Sequence, residues 1–279
     1  MEKNEIWMSN PLFMNDLEEL RFGLLQGQEC FINSKELKEA CKTVESYQNL
    51  IDTFKQQLED FDKNHALDTY VICLTEHKTS NNHGSLSMWR GYGAIGGGAA
   101  IIFDTSEIDL RDSKATLIID KVRYQTDEQR IEWIKSKIIG LANFIKQEPE
   151  ANKYIEDIVN YFLLRLKIFS LFTKHNGFEE ENEWRVIYMS ELDTENKFHP
   201  WFSYAVTSRG VEPKLKLSIQ PNTGVLKDDV SFDKLIDRII LGPINSSLLH
   251  ENSVKKMLKL LGKHSIAQKI VSSNIPFRI

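Results

Sequence analysis

The residues best suited to chemistry lie in one short segment, 174–185, which reads KHNGFEEENEWR. An acidic run there leads into a strand-like stretch, and strand alternation places the side chains of Glu183 and Arg185 on one face. A carboxylate at the start of a strand has a fixed position, so Glu183 could hold a sugar hydroxyl or a cation, with Lys174 supplying compensating positive charge. The alternative interpretation is an ordinary strand with a solvated, charged approach, in which Glu183 and Arg185 pair with neighbouring side chains.

A glycine-rich run at residues 91–96 has the spacing G-x-G-x-x-G, which is associated with dinucleotide phosphates. That fingerprint must follow a strand and open a helix, whereas here a helix-like segment precedes the run and a strand follows it. We therefore interpret the run as a turn that uses the conformational freedom of glycine. Nearby, His77 and His83 have no third ligand at a regular spacing, which indicates a surface loop and predicts no metal site.

Bulk composition narrows the class of protein. The 279 residues are 41% hydrophobic, and 35 basic and 40 acidic residues are mixed along the chain, so no large field of one sign indicates a membrane or nucleic-acid surface. Three cysteines without C-x-x-C spacing argue against a disulfide framework and fit a reducing compartment. The first residues lack a secretory signal, and no stretch approaches the roughly 18 apolar residues of a membrane span. These features predict a cytoplasmic chain with no membrane partner.

Two heptad-like seams predict long amphipathic helices. In the first seam apolar residues alternate four and three positions apart between residues 40 and 61, and the second seam runs between residues 131 and 145. A third apolar-rich helix is predicted at about residues 155–172. Such helices pack on one another or on a partner, so the seams predict either a core or an interface, including a homo-oligomer.

Strand-like runs rich in β-branched and aromatic residues flank these helices. They lie at residues 5–8, 69–75, 99–103, 116–124, 184–189, 215–219 and 238–241. Because the strands do not alternate regularly with single crossover helices, a doubly wound parallel sheet is disfavoured. The sequence predicts a single α+β domain over 1–279, with a mixed or antiparallel sheet core and long amphipathic helical insertions at about 34–64 and 126–173.

Short motifs along the whole chain carry a family resemblance. They are IWMSNP at 6–11, CLTE at 73–76, MWRGY at 88–92, FEEENEWR at 178–185, ILGP at 240–243 and SNIPFR at 273–278. Together with Asn15, Asp16 and Lys174 they resemble the DUF2971 family of prokaryotic proteins. The family usually has Asn-Asp-Pro where this chain has Asn15-Asp16-Leu17, and its members generally begin with a further strand bearing a His-Tyr-Thr/Ser-like segment that this sequence does not include.

The order of elements in that family resembles that of ADP-ribosyltransferases, in which a late glutamate stands at the edge of a strand. This resemblance implies that Glu183, with Glu181 beside it, holds a ribose hydroxyl of NAD and stabilises the positive charge that develops as nicotinamide leaves. It implies a toxin or phage-defence effector that uses NAD to modify a nucleic acid or a protein. The residues expected to contact NAD are Asn15, Asp16, Trp89, Arg90, Tyr92, Lys174 and Arg185.

Two other hypotheses remain open. In the first, Asp16, Glu181 and Glu183 bind Mg²⁺ near Lys174 in a metal-dependent nuclease, because clustered carboxylates with a lysine suit phosphodiester cleavage. In the second, the chain is a noncatalytic sensor or assembly module whose heptad helices bind a partner. Asn15 and Asp16 also have a structural interpretation, since either could cap the helix that follows.

Overall fold

The computed structural model describes residues 1–14, 17–61, 66–93, 97–106, 116–219, 231–245 and 247–276. Its strands are β1 (Glu5–Ser9), β2 (Thr69–Thr75), β3 (Ala99–Phe103), β4 (Leu117–Lys121), β5 (Arg123–Gln125), β6 (Thr173–His175), β7 (Glu183–Met189), β8 (Phe202–Thr207), β9 (Gly210–Ser218), β10 (Ile236–Leu241) and β11 (Ile270–Ser272). Its helices are α1 (Leu17–Ile32), α2 (Lys35–Ala40), α3 (Val44–Asp60), α4 (Leu86–Gly91), α5 (Asp127–Gln147), α6 (Ile155–Leu171), α7 (Phe232–Leu235), α8 (Leu248–Leu260) and α9 (His264–Ala267).

The larger sheet has the strand order β4-β7-β2-β1-β9-β8, and every neighbouring pair in it is antiparallel. In the smaller sheet, β10 pairs antiparallel with β3 and parallel with β11. A short parallel pair, β5 with β6, lies outside both sheets. The predicted fold class, α+β with a mixed or antiparallel sheet core, is confirmed.

The larger sheet is the middle layer of the molecule. On one face Met8, Leu215 and Leu217 share a core with Ile239 and Leu241 of the smaller sheet. On the other face the sheet packs against α1 and α6 through a second core of Leu20, Val71, Leu171, Phe172, Ile187 and Met189. Burial of apolar side chains on both faces fixes the register of the strands, because a slip of one residue would invert each face.

The helices form an outer layer with its own core. The ring of Phe31 in α1 stacks on that of Phe54 in α3 with centroids 4.1 Å apart, and Phe162 of α6 completes the aromatic group. The second predicted seam contributes Ile134, Ile138 and Ile145, and the first contributes Ala40, Ile51, Phe54 and Leu58. The seam side chains therefore pack against one another within the chain, and a homo-oligomer or partner interface stays a prediction.

The spacing of the first seam predicted one continuous helix, but the structure has two helices, α2 and α3, over this segment. α2 ends at Ala40 and α3 begins at Val44 because the hydroxyl of Thr43 accepts the backbone N–H of Ser46, which starts a new helix. Val44 consequently lies on the exposed side. The strand predicted at 116–124 is likewise divided, at Val122, into β4 and β5.

No helix in the described part of the chain is long and apolar enough to cross a membrane.

Candidate functional site

The site is built on the beginning of β7. Along this strand Met189 and Ile187 lie under the helical layer, and Arg185 and Glu183 continue the same face. The guanidinium of Arg185 donates from Nε to Oε1 of Glu183 at 2.7 Å and from Nη2 to Oε2 at 3.1 Å. The predicted orientation of these two side chains on one face is confirmed. Their bidentate contact fixes the carboxylate in position as well as in charge.

Lys174 of β6 joins this pair to a second carboxylate. Its ammonium lies 2.6 Å from Oε2 of Glu181 and 3.5 Å from Oε2 of Glu183, and it faces the ring of Phe178 at 4.7 Å. The lysine is almost completely buried, with 1% of its surface exposed. Among the described residues the cluster thus contains two carboxylates and two cations, which satisfies the requirement that buried charges be paired.

Asn182 brings the two carboxylates together. It lies between Glu181, which ends a 3-10 turn, and Glu183, and it has left-handed backbone angles of φ 42° and ψ 51°. Asparagine tolerates this conformation better than other residues with a Cβ. The backbone N–H of Glu183 donates to the hydroxyl of Tyr124 at 2.9 Å, and its carbonyl accepts the N–H of Val122 at 2.8 Å. The position of Glu183 is therefore set by the backbone and by its partners.

Opposing effects act on the ionisation of Glu183. Burial raises the pKa of its carboxyl, but hydrogen bonds from Arg185, its positive charge, a hydrogen bond from Cys73 and the charge of Lys174 together lower that pKa below its usual value of 4.5. Glu183 is therefore an anion at neutral pH. Such a group can accept a hydrogen bond and attract positive charge, but it holds no proton to donate.

Glu183 and Glu181 line a cavity of about 430 Å³. The register of the sheet explains its other lining groups, since Thr75 of β2 is paired with Glu183 and Cys73 with Arg185. The cavity is also lined by Ser9, Phe13, Met14, Met88, Tyr92 and Arg209. The cavity lies on the same face of the larger sheet as α1 and α6, beyond the part of that face that the two helices cover.

The residues expected to contact NAD are distributed unevenly. Tyr92 lines the cavity, and its hydroxyl donates to Oε1 of Glu181 at 2.9 Å. Lys174 and Arg185 contact these carboxylates but do not belong to the described lining, and Nη1 of Arg185 also donates to the carbonyl of Leu171 at 2.7 Å.

Trp89 and Arg90 have other positions, and neither belongs to the described lining of the cavity. The indole of Trp89 is buried and donates to the carbonyl of His83 at 2.8 Å, while Arg90 is exposed on α4. Asn15 and Asp16 lie outside the described residues, so their predicted roles stay predictions.

Sequence reasoning missed Ser9, Cys73, Thr75 and Arg209 as lining residues. The signal for Cys73 and Thr75 was present, because strand alternation places both on the face of Val71. Their proximity to Glu183 depends on the pairing of β2 with β7, which the sequence alone does not reveal.

The described residues include no group of three or more His, Cys, Asp or Glu side chains that could hold a metal ion. Of the three carboxylates in the nuclease hypothesis, Glu181 and Glu183 are bound to Lys174 and Arg185, and Asp16 lies outside the description.

Fold and site together define an α+β protein with a buried charge cluster that opens on a polar cavity. The family DUF2971, described as protein of unknown function, matches residues 88–186. The predicted resemblance is therefore confirmed over this segment, which carries Tyr92, Lys174, Glu181, Glu183 and Arg185. No curated protein and no solved structure matches the chain.

Proposed function

We propose that the cavity binds NAD and that the chain is an ADP-ribosyltransferase-like enzyme, which transfers ADP-ribose to a nucleic acid or a protein. The observation that carries this proposal is the ionised, immobilised carboxylate of Glu183 in the wall of a cavity. It is supported by the resemblance in the order of elements, in which a late glutamate stands at the edge of a strand. A toxin or phage-defence effector is the role that this activity would serve.

The chemistry requires negative charge where positive charge develops. When the bond between nicotinamide and the ribose C1′ breaks, nicotinamide leaves with the electron pair and the ribose becomes cationic. A nucleophilic oxygen or nitrogen of the acceptor then bonds to C1′ and loses its proton to solvent; with water as acceptor the product is free ADP-ribose. In this proposal Glu183, with Glu181 beside it, accepts a hydrogen bond from a ribose hydroxyl and stabilises the positive charge on the ribose.

The buried cations are compatible with that role because of where they lie. Neither Lys174 nor Arg185 belongs to the described lining of the cavity; their side chains are 2% and 4% exposed, compared with 5% for Glu183 and 17% for Glu181. An ionised carboxylate has about four acceptor positions, of which Arg185 uses one on each oxygen of Glu183. A hydrogen bond from Cys73 uses a third, so one position remains for a ribose hydroxyl.

Tyr92 offers an aromatic surface at the same cavity. The residue is 62% exposed, while its hydroxyl donates to Glu181. A flat, partly solvated ring of this kind can stack on nicotinamide and orient the bond that breaks.

The test is release of nicotinamide from NAD by the purified full-length chain, measured by liquid chromatography for the wild type and for Glu183→Gln. We expect Glu183→Gln to reduce the rate by roughly 100- to 1,000-fold, as for loss of one charge-stabilising group in other enzymes. Asp193→Asn is the matched control, because Asp193 is also a buried carboxylate but accepts hydrogen bonds from Tyr188, Lys197 and Phe198 away from the cavity lining.

Folding and chemistry are separated by two further measurements. Thermal unfolding reports whether Glu183→Gln is folded at the assay temperature, and calorimetry reports its affinity for NAD. A folded variant that binds NAD but does not release nicotinamide supports the proposal. Unchanged release in Glu183→Gln, or no release by the wild type with any acceptor fraction, contradicts it.

A further inference from the structure

The lining of the cavity is divided by charge. Glu183 begins β7 and Glu181 ends the 3-10 turn before it, whereas Arg209 lines the same cavity from the turn between β8 and β9. In the sheet, β2 and β1 lie between β7 and β9. A ligand that spans this cavity meets anionic groups at one end and a cation at the other.

The turn that carries Arg209 is tight and internally bonded. Thr207 pairs with Gly210, so only Ser208 and Arg209 lie between the strands, and Gly210 has φ +111°, which favours glycine. The backbone N–H of Arg209 donates to the hydroxyl of Thr207 at 3.1 Å. The backbone of Arg209 is therefore held in place.

Glu212 orients the guanidinium. Its carboxylate is buried and accepts three donors, the hydroxyl of Thr207 at 2.7 Å, Nε of Arg209 at 3.0 Å and the ammonium of Lys214 at 3.0 Å. These hydrogen bonds, that of Thr207 first, lower the pKa of Glu212 to about 2, so it is ionised at any physiological pH.

Arg209 retains donors for a ligand. Only its Nε is engaged by Glu212, and its two terminal nitrogens hydrogen-bond no group in the described part of the chain, while its side chain is 57% exposed. Lys214 adds a second cation here and donates to the hydroxyl of Ser9, which also lines the cavity. Counting only side chains that the structure describes, this end of the cavity has two cations, Arg209 and Lys214, and one carboxylate, Glu212, so its net charge is positive.

We propose that Arg209, oriented by Glu212, binds a phosphate group of the ligand whose ribosyl end meets Glu183. A planar guanidinium whose two terminal nitrogens have no hydrogen-bond partner among the described residues matches the geometry of phosphate oxygens. This inference rests on the proposed function for the identity of the ribosyl end. It adds that the substrate must carry a phosphate, so a dinucleotide is bound and an unphosphorylated nucleoside is discriminated against.

Isothermal titration calorimetry of the full-length chain tests this inference with NAD, nicotinamide riboside and inorganic pyrophosphate as probes. We expect Arg209→Ala to weaken binding of NAD and of pyrophosphate by roughly 10- to 100-fold and to leave nicotinamide riboside within about twofold, because a charge-assisted hydrogen bond to phosphate is lost. Arg165→Ala is the control, since Arg165 is exposed on α6 and does not line the cavity.

Glu212 acts as a positioning residue, and two variants separate this from a purely structural role. Glu212→Gln should weaken NAD binding less than Arg209→Ala does and leave the affinity for nicotinamide riboside unchanged. Arg209→Lys should bind NAD more tightly than Arg209→Ala but less tightly than the wild type, because lysine keeps the positive charge but lacks the paired donors of a guanidinium.

The outcomes distinguish this inference from the proposed function. If Arg209→Ala leaves NAD binding unchanged, or weakens nicotinamide riboside by the same factor, the phosphate role is overturned even when Glu183→Gln abolishes nicotinamide release. If the wild type releases no nicotinamide but binds pyrophosphate in a manner that depends on Arg209, the phosphate site stands and the proposed function fails. A wild type that binds neither NAD nor pyrophosphate overturns the phosphate role.

Discussion

Two buried lysines, Lys167 and Lys174, each pair with a carboxylate and face an aromatic ring, but they differ in their other neighbours. Lys167 on α6 pairs with Glu191 and faces the ring of Phe61 at 4.9 Å; Lys174 pairs with Glu181 and faces an aromatic ring at 4.7 Å. Both ammonium groups are nearly inaccessible to solvent. An ion pair beneath an aromatic ring therefore does not by itself mark a functional site.

The settings differ in their carboxylates and in the cavities beside them. Lys174 contacts Glu183 as well as Glu181, next to a cavity with hydroxyl, thiol and charged lining. Lys167 has Glu191 as its one carboxylate partner among the described residues, and the side chain of Glu191 is 28% exposed; the cavity of about 310 Å³ beside Lys167 is lined by leucine side chains together with Gln57, Asp60 and Asn160. The candidate site therefore differs from the surroundings of Lys167 in its second, buried carboxylate, Glu183, and not in the burial of a charged lysine.

The largest effect that sharpens this comparison is expected for Lys174→Met. It leaves Glu181 and Glu183 with Arg185 as the remaining buried cation described, so we expect the free energy of unfolding to fall by about 3 to 5 kcal/mol. Chemical denaturation measures this change. A loss below about 1 kcal/mol would show that solvent or rearrangement compensates the cluster.

Lys167→Met is the counterpart and should destabilise the chain by about 1 kcal/mol, because the partly exposed Glu191 can be solvated. Burial lowers the pKa of Lys167 despite the opposing effect of Glu191. The folded chain then loses this proton at lower pH than the unfolded chain, so wild-type stability should rise relative to Lys167→Met as the pH increases through the folded pKa. Parallel stability curves of the two proteins as the pH rises toward the ordinary lysine value of 10.5 would contradict this.

The carboxylate cluster should respond at the opposite end of the pH range. Because the pKa of Glu183 is lowered in the folded state, its ionised form contributes stability above the ordinary value of 4.5, and this contribution is lost as the pH falls through the folded pKa. Urea titrations below pH 5 should therefore show a shallower loss of stability for Glu183→Gln than for the wild type. Equal slopes would mean that Glu183 is not a source of acid sensitivity.

A smaller effect concerns cysteine reactivity. Cys73 is exposed in the cavity lining, whereas burial raises the pKa of the Cys30 and Cys41 thiols. N-ethylmaleimide should modify Cys73 about tenfold faster than the other two, as followed by mass spectrometry of peptides. Saturating NAD should slow this reaction, and an unaffected rate would place the ligand elsewhere.

The part of the site that could be predicted is the part formed within one segment. Residue types and strand alternation point to Glu183, Arg185 and Lys174, the resemblance adds Glu181, and the four side chains lie together. Arg209 could not be predicted, because it reaches the cavity only through the order β2-β1-β9-β8, which joins strands distant in the sequence. Trp89 belonged to the same motif as Tyr92, but its indole packs into the molecule.

The secondary structure likewise contains elements that the local sequence predicts and elements that it does not. The bounds of β2 and β3 match their predicted ranges, since each is a short β-branched run between turn residues. β8 was not predicted, although Phe202, Tyr204 and Val206 alternate along it and Gly210 follows the turn. Two of these apolar side chains are exposed, so their pattern does not indicate burial.

The spacing of the charged residues along the chain has a consequence for folding. Lys174, Glu181, Glu183 and Arg185 are close neighbours in sequence, so little chain entropy opposes their meeting. Ser9 and Arg209, which complete the cavity, are separated by most of the chain and meet only when β1 and β9 pair. A partly folded chain can therefore keep its ion pairs while lacking a binding site. Ligand affinity, rather than the ion pairs, should report that the last long-range contacts have formed.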